Sequence, residues 1–268
     1  MFFSKSNISG FQFIDRRIQQ VYNLFRGEKM NSDIEKLQQM IDKSSKIVFF
    51  GGAGVSTESG IPDFRSADGI YMMDYKYPPE RIISHSFFLE HTKEFYEFYS
   101  KHLYAPQAKP NAAHYKLAEL EKAGKLSAVI TQNIDGLHTA AGSKRVYELH
   151  GSTLRNFCMK CGKSYDVDHV CNGGVPLCSC GGIIKPDVVL YEEALNEETV
   201  NGALNAIENA DMLIVAGTSL TVYPAAGFIR YFKGRNIVLI NRDATAMDEK
   251  FGFIIHGKVG EILSRIKP

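Results

Sequence analysis

The residues best suited to chemistry in this 268-residue chain are its thiols. All five cysteines fall between Cys158 and Cys180, and four of them form two close pairs, Cys158-x2-Cys161 and Cys178-x-Cys180. Four thiolates at such spacing satisfy a tetrahedral zinc ion and leave no position for water, so the expected site is structural rather than catalytic. The second pair is tighter than the usual C-x2-C knuckle, and Cys171, between the pairs, is a spare thiol able to stand in for a ligand. An odd, clustered set of thiols suits a metal site in a reducing compartment better than a disulfide framework.

A second group of candidates sits where apolar runs give way to glycine and polar residues. The segment GGAGVSTESG (51–60) matches a dinucleotide fingerprint in part: Gly52 and Gly54 fit G-x-G, and Thr57 stands where the third glycine belongs. Such a loop brings backbone N–H groups to a phosphate at a helix N-terminus, although a tight turn with no ligand has the same composition. Ile61-Pro62-Asp63-Phe64-Arg65 follows at once, setting an acid, an aromatic ring and a cation where a plain turn needs none of them. The acidic residue that a dehydrogenase uses to hold the adenosine ribose is missing at its usual distance.

Gln132, Asn133 and Asp135 follow a second apolar run and suit ribose hydroxyls and a carboxamide. Thr218 and Ser219 follow a third run, and Asn241, Arg242 and Asp243 a fourth. Taken singly, each end is also ordinary turn or cap chemistry; four polar strand ends on one sheet favour an extended ligand such as a dinucleotide. His150, beside Gly151, has the near-neutral pKa of a general base, whereas an isolated histidine is more often a satisfied structural residue.

These residues need a sheet to bring them together. The short apolar runs 46–50, 126–130, 212–216 and 237–240 read as buried strands, and 112–123 and 197–209 as helices. Strands alternating with helices predict an α/β fold built on a doubly wound, parallel, Rossmann-like sheet. Before the first strand, Ser32 or Asp33 is placed to cap a helix whose apolar face is Ile34, Leu37, Met40 and Ile41. Two inserts interrupt the alternation: an aromatic, helical one at about 66–110 and the cysteine-rich one at 152–184, together a smaller zinc-binding and helical lobe. Residues 1–30 read as an extension ahead of a catalytic domain at 31–268. Met30 as the true initiator, a loosely attached segment and an amphipathic partner or membrane-surface helix are all compatible with their spacing.

Composition closes off other classes. Lys plus Arg (31) balances Asp plus Glu (30), which is not the footprint of direct nucleic-acid binding. The start lacks a secretory signal's apolar core, and no apolar stretch is long enough to span a membrane. The expected location is cytoplasmic.

Taken in order, GAGVSTESGIPDFRS, TQNIDGLH, ELHG, the two cysteine pairs, KPDVVLYEE, GTSL and the strand ending in Asn241 resemble the sirtuin family of NAD-dependent protein lysine deacylases, over residues 31–268. The resemblance implies a bacterial-type deacetylase with NAD and zinc, acting on acetyl-lysine proteins or peptides. In the family the acyl oxygen attacks the ribose carbon as nicotinamide leaves, and the acyl group ends on ADP-ribose. Carried onto matching positions, His150 is the general base toward a ribose hydroxyl and Asn133 orients the ribose and a water. Ile134 and Asp135 hold the carboxamide. Ala53, Thr57, Asp63, Phe64 and Arg65 belong to the loop over nicotinamide and phosphates, with Phe64 shielding the ribose face. Gln132, Thr218, Ser219 and Asn241 hold the rest of the dinucleotide, and Val259 touches adenine.

The peptide is expected to add a strand between Val188 to Glu192 and Ser219 to Tyr223, with Val189 lining the acyl-lysine tunnel. Two departures stand out. Glu192 replaces a glycine common in the family, and the Tyr-x-x-Arg pair of the succinyl-removing branch becomes Tyr99 with His102, so a neutral acyl group is expected. Mono-ADP-ribosyl transfer and a silent NAD-sensing or zinc-stabilised scaffold are the competing readings; His150 weighs against the first, and Asn133, Asp135 and His150 together against the second.

Overall fold

The structure, a computed structural model, describes residues 27–66, 69–72, 74–170 and 174–268. Most of the expected extension, and the spare thiol Cys171, lie outside the described residues.

Helix α1 (residues 27–43) leads into β1 (Ile47–Gly51). Three short helices follow, α2 (Pro79–Ile82), α3 (His85–Glu90) and α4 (Thr92–Phe98), and then a π-helical turn over Tyr99–Leu103. Next come α5 (Ala112–Lys122), β2 (Leu126–Thr131), α6 (Leu137–Ala140) and β3 (Val146–Glu148). An antiparallel trio is made by β4 (Gly151–Cys158), β5 (Ser164–Tyr165) and β6 (Ile184–Val188), in the order β5-β4-β6. The chain returns through α7 (Glu197–Glu208), β7 (Met212–Ala216), β8 (Asn236–Asn241), β9 (Phe253–His256) and α8 (Val259–Ser264).

The large sheet runs β3-β2-β1-β7-β8-β9 with every pair parallel. Counted among themselves these strands have the doubly wound order 3-2-1-4-5-6, whose direction of winding reverses between β1 and β7. Period-two alternation splits each central strand between two cores. Ile47 and Phe49 face a core shared with α1, α5 and α8, while Val48 and Phe50 face one shared with α7 and the 3-10 turn Ala225–Tyr231. Covering both faces explains why these strands are unbroken apolar runs.

The helix expected to start at Ser32 or Asp33 instead runs through both residues from at least residue 27. Met30 packs against the same core as Ile34, Leu37 and Ile41, so the apolar stripe continues one turn earlier than the cap signal suggested. At the other insert, Asn111 caps α5: its Oδ1 accepts from Ala113 N–H (2.9 Å), and His114 Nδ1 accepts from Asn111 N–H (3.1 Å).

A third core joins the short helices to the cysteine-rich strands. Phe88, Phe95, Tyr96 and Tyr99 pack edge to face or stacked and share this core with Cys158, Cys178, Ile184 and Val188. The Tyr96 hydroxyl donates to the Ile184 carbonyl.

Candidate functional site

The carboxyl ends of β1, β2, β7 and β8 open into one cavity of about 720 Å³, closed on its far side by the small lobe. Glycine permits the approach at the switch point. A Cβ on Gly52 would stand 2.8 Å from the Gly217 carbonyl oxygen, and one on Gly217, at φ +60°, 2.4 Å from the Val55 nitrogen. The β1 loop and the β7 loop are thereby packed backbone to backbone, with Gly52 N–H donating to Ala216 and Gly54 N–H to Gly217 (3.1 and 2.8 Å). Directly after β1, two 3-10 turns, Ala53–Val55 and Thr57–Ser59, stand in place of an α-helix, and Glu58 reaches to the Gly260 N–H at the start of α8 (2.6 Å). That contact fixes Val259, which lines the cavity.

Two hydrogen-bond clusters fix the side chains at the strand ends. Ser56 Oγ donates to Asp135 Oδ2 (2.6 Å) and accepts from Asn133 Nδ2 (3.0 Å), while Asp135 Oδ1 accepts from the N–H of Leu137, the first residue of α6 (2.9 Å). In the other, Gln132 Nε2 donates to Thr218 Oγ1 (3.0 Å), and Asn241 clasps the Thr218 backbone through Oδ1 and Nδ2 (3.1 and 2.9 Å). Three strand ends are therefore locked in register by the chain's own side chains. Ser219, one residue on, pairs its hydroxyl with Thr221 (2.8 Å).

His150 stands where β3 hands over to β4, and its ring lines the cavity. Its Nδ1 lies 3.0 Å from the Gln132 carbonyl oxygen. A carbonyl only accepts, so Nδ1 carries the proton and Nε2 keeps its lone pair. Burial lowers the histidine's pKa, and the Gln132 carbonyl opposes this in part. Near neutral pH the imidazole is an uncharged base of defined tautomer. Gly151 follows at φ +74°, where a Cβ would meet the Asp187 carbonyl oxygen at 1.9 Å, so the histidine is held against β6 by a contact only glycine allows.

Opposite the sheet, Asp63 Oδ1 accepts from Arg65 and Ser66 N–H (3.0 and 2.7 Å), folding the loop so that Phe64 meets Tyr71 edge to face at 5.4 Å. The Arg65 guanidinium lies over the Tyr71 ring, whose hydroxyl is 3.4 Å from that of Tyr191. Burial pushes the Tyr71 hydroxyl's pKa up, so it stays protonated. Ala53, Thr57, Ile134 and Val189 also line the cavity. Tyr99 is fully buried in the aromatic core, whereas His102 lines the cavity against Tyr75 and Phe98, its pKa lowered by burial and by Lys101.

The four cysteine sulfurs lie within 4.8 Å of one another, with Cys158 and Cys180 at 3.5 Å and Cys161 and Cys178 at 3.6 Å. Tetrahedral zinc with Zn–S of ~2.3 Å sets its sulfurs about 3.8 Å apart, so the spacing fits that ion and is far too long for disulfides. Tyr165 Oη and the Cys180 N–H both point at Cys178 Sγ (3.0 and 3.5 Å), the orientation that supports a thiolate.

Sequence reasoning passed over Ser56, Glu58 and Tyr71. Ser56 was legible only as one of several hydroxyls in the glycine-rich loop, and the partner of Glu58 is 202 residues away. His138, inside the TQNIDGLH segment, turns away from the cavity and is buried against Phe49 and His114.

Comparison with known proteins agrees with this architecture. The profile described as Sir2 family matches residues 52–224. A Clostridium acetobutylicum protein named NAD-dependent protein deacetylase is 56% identical over 238 residues, covering 87% of this chain and 97% of its own. One of the same name from Staphylococcus aureus is 44% identical over 88% of this chain and 99% of its own. Among solved structures, a Sir2 enzyme superposes with a TM-score of 0.80 at 42% identity, and a Sir2 complex with p53 peptide and NAD+ with 0.76 at 37%; each covers 87% of this chain and 96% of the other.

Proposed function

The chain belongs to the Sir2 family, and on that premise we propose that the cavity is the active site of an NAD-dependent protein lysine deacetylase with His150 as its general base. The enzyme moves the acetyl group of a lysine side chain to ADP-ribose and releases nicotinamide. NAD supplies the bond that breaks, between nicotinamide and ribose, and the ribose carbon that receives the acyl oxygen. The chain's own residues bind, orient and deprotonate. His150, its Nδ1 proton held by Gln132, takes a proton from a ribose hydroxyl at Nε2. Asn133 orients the ribose, and Asp135, held by Ser56 and the start of α6, takes the carboxamide with Ile134. Phe64, propped by Tyr71, keeps water from the reacting face.

Ala53, Thr57, Asp63 and Arg65 line the nicotinamide and phosphate part of the cavity, Gln132, Thr218, Ser219 and Asn241 the remainder, and Val259 the adenine end. Cys158, Cys161, Cys178 and Cys180 hold zinc, which ties β4 to the irregular chain before β6 and supplies no catalytic step. The division at residue 31, with inserts at about 66–110 and 152–184 forming the small lobe, is proposed on the same footing.

Val189 lines the acyl-lysine tunnel, and the uncharged His102 among aromatic rings offers no cation to an acidic acyl group, which favours acetyl. We also propose a cytoplasmic location, on the grounds of an odd, clustered set of cysteines that suits a metal site in a reducing compartment and of balanced charge, with no direct nucleic-acid or membrane partner. Among the described residues no helix is long and apolar enough to cross a membrane.

The observation that carries the assignment is the His150 tautomer, fixed by the Gln132 carbonyl in the wall of the cavity. The test follows an acetyl-lysine peptide by mass, with and without NAD, beside a His150→Ala variant. Deacetylation that requires both NAD and His150 is expected. Nicotinamide release with the acetyl mark intact would point to ADP-ribosyl transfer, and no NAD consumption would overturn the assignment.

A further inference from the structure

The turn that carries Val189 is braced from behind by charges that the assignment above leaves unused. Lys185, in β6, is buried, with its side chain 8% exposed. Its ammonium donates to the carbonyls of Val188 (2.8 Å) and Pro186 (3.4 Å) and to Glu193 Oε2 (3.1 Å). The same carboxylate oxygen accepts from Leu190 N–H (2.8 Å), and Oε1 lies 2.8 Å from His85 Nδ1 at the first residue of α3. Burial alone would push this carboxyl's pKa up; the Leu190 N–H, His85 and Lys185 outweigh it and hold it below the usual value. Glu193 thus joins β6, the turn and the helical insert at one point.

The turn's backbone is tied at the same place. Tyr191 N–H donates to Ile83 and its carbonyl accepts from His85 N–H, each at 3.0 Å, while Val189 N–H donates to the His150 carbonyl (3.0 Å). Glu192 sits at φ +75°, a left-handed conformation that strains a residue bearing a side chain. Its carboxylate accepts from Ser86 N–H and Oγ (2.8 and 3.0 Å), which offsets that strain. A buried ion pair adds little stability over an apolar pair of the same volume, so its most effective use is to fix one geometry.

We propose that Glu193, paired with Lys185, is a positioning residue for the acyl-lysine peptide: it holds the backbone of residues 188–192 in the shape that receives the peptide's added strand, and so governs peptide affinity while leaving NAD affinity alone. The inference rests on the reading of the cavity as a deacetylase site.

The test measures KM for an acetyl-lysine peptide, KM for NAD and kcat in wild type, Glu193→Ala and Glu193→Gln, together with the Kd of a fluorescent acetyl-lysine peptide by anisotropy. Glu193→Ala is expected to raise peptide KM and Kd about tenfold, the worth of one charge-assisted hydrogen bond, with KM for NAD within about twofold. Glu193→Gln keeps an acceptor for the Leu190 N–H and should recover part of the loss. Unchanged peptide Kd in Glu193→Ala, or equal losses for peptide and NAD, overturns the inference. If Glu193→Ala fails to fold, the Gln variant with Lys185→Met decides by the same ratio. A wild type that binds the peptide but does not deacetylate it marks failure of the underlying assignment instead, and the Kd arm still judges Glu193.

Discussion

The two walls of the cavity are built by different means. On the sheet wall, parallel strands deliver four loops to one edge, and glycine contacts and neutral amide and hydroxyl bonds suffice to lock them, as between Gly52 and Gly217 or Thr218 and Asn241. The opposite wall has a three-stranded sheet and helices of seven residues or fewer, and it is held by thiols, a buried lysine and paired carboxylates. A regular sheet positions loops through its backbone, whereas a lobe with little regular structure must position them through side chains. The sheet wall should therefore resist loss of single polar groups, and the lobe wall should not.

The largest effect tests this directly. Chelation of zinc, or Cys178→Ser, should abolish deacetylation and strip hydrogen-exchange protection from residues 151–188, while amides of β1, β2 and β7 stay protected. Equal loss of protection on both walls would end the contrast.

Next in size is the base proposed above. His150→Ala should lower kcat by about 10²–10⁴-fold with little change in thermal stability. Because burial depresses the pKa of His150, its imidazole is uncharged near neutral pH. The acid limb of the kcat profile, which rises with pH as the imidazole loses its proton, should then lie below about 6.5, and a limb above that value would contradict the observed environment.

How legible each wall was in the sequence follows the same division. The runs that became β1, β2, β7 and β8 were apolar throughout because both faces of those strands are covered, and their polar ends announced the cavity. The edge strands β3 and β9 are only partly buried and gave no such run. Strand β6 carries Lys185 and Pro186 in its middle, residues that argue against a strand until Glu193 is known to lie beside the lysine. The cysteine pairs were readable as a metal site from their spacing, but which loops the lobe would brace was not, since Glu193, His85 and Lys185 come from three separate segments. The early start of α1 was hidden by two good capping residues lying inside it.

The sheet wall has one weakness of its own. His114 and His138 are buried against each other at 4.7 Å, with pKa values lowered to about 4 and about 3, chiefly by burial. Above an unfolded-state value of about 6.5 neither state binds these protons; below it only the unfolded chain does, down to the folded values. Stability should therefore fall as pH drops from about 6.5, by about 2 kcal/mol per histidine at pH 5 at most. Urea unfolding at pH 7.5 and 5.0 should reveal the loss, and His138→Leu should flatten the dependence. An unchanged slope in that variant would move the acid sensitivity elsewhere.

The smallest effect belongs to the charges that bridge the two walls. Arg155, on β4, donates to Glu148 on β3 (2.6 Å) and to Asp187 on β6 (2.8 Å), yet its side chain is 54% exposed. Water and salt screen such a pair, so Arg155→Met should cost no more than about 1 kcal/mol and leave activity within about twofold. The partly buried Glu148 does not upset this, since burial has raised its pKa despite the arginine. The walls are joined instead by backbone: the Val189 N–H on the His150 carbonyl, and Gly151 closed on Asp187 where no side chain fits. Gly151→Ala, with a Cβ at 1.9 Å from the Asp187 oxygen and φ at +74°, should accordingly outweigh Arg155→Met severalfold in both thermal stability and activity. If the arginine variant proved the more damaging, surface charge rather than backbone contact would be what holds the histidine against the lobe.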